Sequence, residues 1–330
     1  MERPDANYTT HDQQGLVQAL VGDGHPLLMF TGLSLILAGG FALFIAATGH
    51  FLPQDAQFLG MSSEQLCALD GCRILKFMIH DRTAFGGAVI AIGLLYLWLT
   101  QFPLRQAESW AWWVLVLSGI FGFSSFLAYL GYGYLDTWHG LATLLLLPCF
   151  VTGLIRSSAL LTKPLRLQAL FKQAGSVPWT SSFGLGRLCL LLVAMSMIGG
   201  GLTILGVGMT SVFVPQDLKY MGLVPAELRA INPRLIPLIA HDRAGFGGAV
   251  LTTGIMVFFA VWCARPSRSL WQILAATGSI GFATAIGIHP IVGYNDLVHL
   301  APAILGLIIY ITGMVLCYRP MVSQPGSIGF

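Results

Sequence analysis

The chain has 330 residues, of which 55% are hydrophobic and only 9% charged, with a net charge of +3. A soluble domain carries about a quarter charged residues, so a water-soluble globule is excluded and an integral membrane protein is expected, with lipid as its first partner. No basic run or aromatic-spaced basic patch points to nucleic acid.

Residues 1–26 read as a short polar tail carrying Glu2, Asp5, Asp12 and Asp23, without the basic start and cleavage pattern of a signal peptide. Crossing the hydrocarbon core takes about 20 apolar residues. Eight runs approach that length, at roughly 27–48, 77–100, 110–130, 137–155, 188–209, 238–262, 270–288 and 297–317. The expected fold is therefore an all-α integral membrane protein. Its eight helices would form two tandem four-helix bundles, 27–155 and 188–318, with a linker at 156–187 and a C-terminal tail at 319–330. Trp110, Trp112 and Trp113 open the third run, as an aromatic belt would.

With the N-terminus inside, the inner segments hold ten Lys and Arg and the outer ones seven. The 156–187 linker alone holds five basic residues and no acid. Both termini are expected on the cytoplasmic side.

The halves repeat. "HDRTAFGGAV" from His80 returns as "HDRAGFGGAV" from His241, "LPQD" at 52–55 as "VPQD" at 214–217, and "GYLDTWH" at 133–139 as "GYNDLVH" at 293–299. Each half has an even number of spans, so the two share one orientation about an axis along the membrane normal.

Ionisable residues within spans are costly and usually functional. His80 and His139 are 59 residues apart, His241 and His299 58 apart, each near the outer end of its helix. Within each four-helix half the two face each other at one depth in this reading. Two imidazoles in an apolar bundle suit a metal, and a bis-His pair suits heme. Positions four and seven after the histidine share its face. They are Ala84 and Gly87, Gly245 and Gly248, Ala303 and Gly306, with Thr143 and Leu146 as the exception after His139. Such a stripe leaves space for a flat macrocycle, or alternatively lets helices pack closely. Arg82 and Arg243 are candidates for heme propionates, or arginines snorkelling to the interface. Asp81, Asp136, Asp242 and Asp296 are the candidate catalytic carboxylates. Asp81 and Asp242 would hold the neighbouring arginine or accept a proton from a bound group, and Asp136 and Asp296 would act as proton relays or partners behind a ligand, with helix N-caps as the alternative for all four. His11, His25, His50 and His289 lack repeat partners or lie in the tail, and take no ligand role in this reading.

Cys67 and Cys72 lie in a polar outer loop, "CALDGC", where an oxidising compartment favours a disulfide over two free thiols. Cys149, Cys189, Cys263 and Cys317 sit in or beside apolar runs and read as packing residues. No phosphate-binding glycine loop, HExxH or nucleophile elbow occurs.

With "MIHDRTAFGGAVIAIGLLYL" and "WHGLATLLLL" around its histidines, the chain resembles the heme A synthase family. That resemblance implies eight spans in two four-helix halves, one histidine pair holding heme b and the other half a heme substrate. It also implies a cysteine pair in the first outer loop and a bacterial inner (cytoplasmic) membrane location. The family has a glutamate three residues before the first histidine, where this chain has Phe77, and an arginine directly after the histidine, where Asp81 intervenes.

Three functions follow as expectations. The first is a membrane heme oxidoreductase with one or two heme b groups, acting on an apolar substrate such as heme O or a quinol. The second is a non-enzymatic electron-transfer or structural subunit of a respiratory or other membrane complex. The third is a heme-free proton-coupled transporter. On the heme reading, His80→Ala or His139→Ala removes one heme and leaves the other half folded.

Overall fold

The computed structural model describes residues 21–127, 133–134, 137–161, 165–175 and 177–323, without the side chains of 125–127 and 138. Among the described residues the secondary structure is entirely helical. The first half contains α1 (His25–Thr48), two short loop helices α2 (Pro53–Leu59) and α3 (Ser63–Asp70), and then α4 (Arg73–Gln101), α5 (Ser109–Leu127) and α6 (Thr137–Ser158). The second half repeats the order as α7 (Ser182–Gly208), α8 (Pro215–Met221), α9 (Pro225–Ile231), α10 (Leu235–Cys263), α11 (Arg268–Val292) and α12 (Leu297–Tyr318).

Seven of these helices are long and apolar enough to cross a membrane, consistent with an all-α membrane protein. The expected third span corresponds to α5, which is apolar over Ser109–Ser124, short of the spanning length among the described residues. Its Trp110 is buried beside Trp98, and the Trp112 indole N–H donates to the Leu154 carbonyl at 2.9 Å. These two tryptophans therefore pack and bond within the protein rather than forming a purely lipid-facing belt.

Helices α4 and α10 are central. In the apolar stretch of each, 72% of residues are buried, against 22–28% in the other five spanning candidates. Each packs on the first helix of its own half, α4 on α1 and α10 on α7. Small residues bring the backbones together: a Cβ on Gly39 would strike the Gly86 carbonyl, and one on Gly247 would strike the Leu205 backbone.

The remaining packing crosses between halves. Helix α11 lies against α4, and α5 lies against α10. Helix α6 then leans on α1, and α12 on α7. The result is two compartments that share the α4–α10 pair, each walled by helices from both halves. That differs from two self-contained bundles with their histidine pairs inside. The reason is the third helix of each half: it finds its apolar partner on the other half's central helix.

The outer loops interlock as well. Asn232 Nδ2 donates to the Leu59 carbonyl and Arg234 Nη1 to the Phe58 carbonyl, each at 2.7 Å. Leu59, Leu66, Phe77, Phe213, Leu228 and Tyr294 belong to one buried apolar cluster above the compartments. On the opposite side, Arg187 is buried at the end of α10, where its Nε donates to the Val261 carbonyl at 3.1 Å and its Nη2 to that of Trp262. It serves a helix C-terminus, where a cation is favoured, and is part of α7 rather than of the linker.

Candidate functional site

His80 is the eighth residue of α4 and His241 the seventh of α10, while His139 and His299 are the third residues of α6 and α12. The histidines pair across the halves. His139 and His241 have ring centroids 5.4 Å apart, and His80 and His299 5.7 Å apart. The within-half pairing of His80 with His139 and of His241 with His299 is thus corrected. Each central helix turns its histidine toward the other half's last helix.

A doubled polar framework holds the central histidines. His80 Nδ1 lies 2.9 Å from Asp81 Oδ1, and His241 Nδ1 lies 3.1 Å from Asp242 Oδ1. Asp81 accepts from Arg243 Nε at 3.2 Å, and Asp242 accepts from Arg82 Nε at 2.7 Å. Arg243 also pairs with Asp217, and Arg82 with Asp55 at 2.8 Å. The "PQD" aspartates are in turn held by tyrosines: Tyr294 Oη donates to Asp217 at 2.8 Å, and Tyr134 Oη to Asp55. Each half therefore contributes its His-Asp to one site and its Arg to the other. Buried charges cost several kcal/mol each unless paired and hydrogen-bonded, and here each arginine meets two carboxylates.

This arrangement decides several roles. Arg82 and Arg243 are engaged by two aspartates each, so neither snorkels and neither is held ready for a propionate. Asp81 and Asp242 sit inside their helices and are not N-caps. Asp296 is the N-cap of α12, accepting from the backbone N–H groups of Val298 and His299 at 3.0 and 3.1 Å. These two bonds hold its carboxyl below the usual carboxylate range. Asp136 lies outside the described residues. Cys67 and Cys72 form the expected disulfide. Phe77 is fully buried, with the Arg243 guanidinium 4.8 Å above its ring, so an apolar side chain serves the framework there.

Below His139 and His241 opens a cavity of about 310 Å³, within the range of about 300–1,000 Å³ usual for small-molecule sites. Its walls come from α1, α2, α4, α5, α6 and α10, and Ala142, Thr143, Leu146, Gly245 and Ala249 line it beneath the imidazoles. It follows α10 from His241 to Thr252, which at 1.5 Å per residue is about 16 Å. Two imidazoles on opposite sides of one metal ion, each nitrogen about 2 Å away, have centroids roughly 6 Å apart. The 5.4 Å here is close to that separation, so the two imidazoles and the cavity beneath them are compatible with a group bound between them.

The His80 side does not fit a bis-His heme. His289 inserts there, its Nε2 lying 3.0 Å from His80 Nε2. The glycine stripe is also differently used. A Cβ on Gly87 would collide with Thr284 on α11, so that glycine serves helix packing. Gly306 faces the Phe282 ring at ordinary contact distance. Gly248 is buried, with its carbonyl accepting from Thr252 Oγ1 at 2.8 Å.

His80, His289 and His299 each present one ring nitrogen, and the three lie within 4.8 Å of one another. His289 has no repeat partner, so the repeat pattern does not mark it as a ligand. Its signal was position: a histidine near the outer end of an apolar helix, at the depth of the other four.

Comparison of the chain with family models, with curated proteins and with solved structures returns no match.

Proposed function

We propose that the chain is an integral membrane heme protein of the oxidoreductase class, with a single bis-His heme b held between His139 and His241. The observation that carries this reading is the facing imidazole pair at the head of an elongated apolar cavity. The resemblance of the histidine contexts to the heme A synthase family favours heme b as the ligand. The outer-end position of the histidines and the basic 156–187 linker support an eight-span topology with both termini cytoplasmic.

Heme supplies one-electron chemistry when bound. The protein's part is to bind and orient. Asp242, bonded to Nδ1 of His241, fixes that ring's tautomer and leaves Nε2 as the ligand atom. Arg82 pairs with Asp242 at 2.7 Å, and the mostly apolar walls below them exclude water. The cavity is taken by the heme itself in this reading, and the family resemblance suggests an apolar substrate such as a quinol or heme O. With Phe77 packed under Arg243 where the synthase family has its glutamate, the quinol is preferred as the substrate class.

The test is an absorbance spectrum of the purified protein on reduction, with a heme-to-protein ratio. A sharp low-spin b-type band is expected at about one heme per chain. His139→Ala and His241→Ala should each abolish it, although the two residues lie in different halves. A colourless protein, or a band untouched by either substitution, would overturn the reading.

A further inference from the structure

The second compartment holds a constellation that the heme reading does not use. It combines His80 from α4, His289 from α11 and His299 from α12. His80 and His289 are only 4% and 3% exposed.

The tautomers of two of these rings are set by their outer nitrogens. Nδ1 of His80 meets the Asp81 carboxylate at 2.9 Å, and Nδ1 of His289 meets the Tyr294 backbone carbonyl at 2.6 Å. Both partners only accept, so both Nδ1 atoms carry hydrogen. In the neutral rings each Nε2 is then a bare lone pair, and these two lone pairs point at each other across 3.0 Å. Two acceptors so placed repel unless a proton or a metal ion lies between them, and a protonated His80 beside Asp81 is the alternative that the elemental assay below separates. The nearby arginine does not take that place: Arg243 is taken up by Asp81 and Asp217.

The third ring completes a metal-ligand set. His299 is fixed by stacking on Tyr294, at 4.6 Å between centroids and 24° between planes. Its centroid is 5.7 Å from that of His80 and 5.3 Å from that of His289. Ligand nitrogens about 2.0–2.1 Å from a tetrahedral ion lie roughly 3.4 Å apart. The 3.0 Å and sub-4.8 Å separations here bracket that value. Carboxylate and carbonyl acceptors behind the ligand imidazoles are what metal-binding histidines ordinarily have.

We infer that His80, His289 and His299 form a buried three-imidazole site for one divalent transition-metal ion, with zinc as the reference case and the fourth coordination position open. Neutral imidazoles select ions of the zinc, copper, nickel and iron group over magnesium or calcium. Three histidines and an open position are the ligand count of reactive rather than purely structural zinc sites. The inference does not depend on a heme at His139 and His241.

The full chain, purified in detergent, is stripped with a chelator, reloaded with Zn²⁺ and assayed by elemental analysis. About one tightly held ion per chain is expected. His289→Gln is expected to lower retention at least tenfold while leaving the heme band at His139 and His241 unchanged. If His289→Gln does not fold, Co²⁺ loading of the wild type replaces it. Tetrahedral visible bands with three imidazoles counted by X-ray absorption support the site. Absence of a retained ion, equal retention in wild type and His289→Gln, fewer than three imidazoles on the ion, or heme iron ligated by His80 would overturn it. Loss of the heme band alone, with metal retention intact, would refute the heme reading and leave this one standing.

Discussion

The two compartments are built from the same five parts. His241, Asp242, Arg82, Asp55 and Tyr134 make one; His80, Asp81, Arg243, Asp217 and Tyr294 make the other. In the first, the central imidazole and its His139 partner look down an apolar cavity. In the second, His289 stands against the central imidazole, and a metal-sized cluster replaces the bis-His geometry. Counting back 160 residues from His289 along the "GY-x-D" alignment reaches Tyr129, outside the described residues. The buried ion-pair framework is common to the two compartments, and His289 is a residue that only the second one has among those described.

The largest expected effect breaks that shared core. Arg243→Ala strands Asp81 and Asp217 without their cation, and removing one partner of a buried pair costs about 3–5 kcal/mol. Arg82→Ala should cost less, because the Arg82 side chain is 14% exposed against 6% for Arg243 and water can reach it. Thermal unfolding in detergent checks both the size and the order. Equal losses would mean that the two frameworks are energetically equivalent after all.

The next contrast separates the outer loops. The disulfide closes only a short loop, so Cys67→Ser with Cys72→Ser should cost about 2 kcal/mol in the chain-entropy account. The same unfolding assay with and without reductant reads it. The second outer loop has no cysteines and should be indifferent to reductant.

Glycine substitutions sharpen the comparison further. Gly87→Ala drives a methyl into Thr284 and should destabilise by about 1–3 kcal/mol. Gly306→Ala meets only the Phe282 ring edge at 3.5 Å. It should be neutral or stabilising by up to about 1 kcal/mol, as alanine is the better helix former. A destabilising Gly306→Ala would mean that the stripe under His299 is needed open.

The smallest effect is on pH. Asp296 titrates below the usual carboxylate range because it caps α12. Its contribution is therefore fully present above about pH 4, the ordinary carboxylate value, and is lost as pH falls through the depressed folded value. Asp296→Asn keeps a capping oxygen and should flatten that acid limb. An unchanged limb would assign it to other carboxylates.

Some of this was legible in the chain itself. Low charge and long apolar runs dictated a helical membrane protein, since a hydrocarbon solvent leaves backbone groups no partner outside the helix. The doubled "HDR", "PQD" and "GY-x-D" elements marked every residue of the ion-pair framework before any contact was visible. The disulfide followed from two nearby cysteines in one polar loop. His289 is not legible from the repeat, because it is the residue that breaks the symmetry and distinguishes the two compartments.

The sequence by itself determined that the chain is apolar and helical and that its polar elements come in two copies, because periodicity and composition are properties of one element at a time. Only the tertiary structure decided whose arginine meets whose aspartate and which histidines face each other. Partner choice depends on how α5 and α11 pack across the halves. Helices of equal length and polarity leave several pairings open until their small-residue surfaces and buried charges meet, and burial then tolerates only the arrangement in which every charge has a partner.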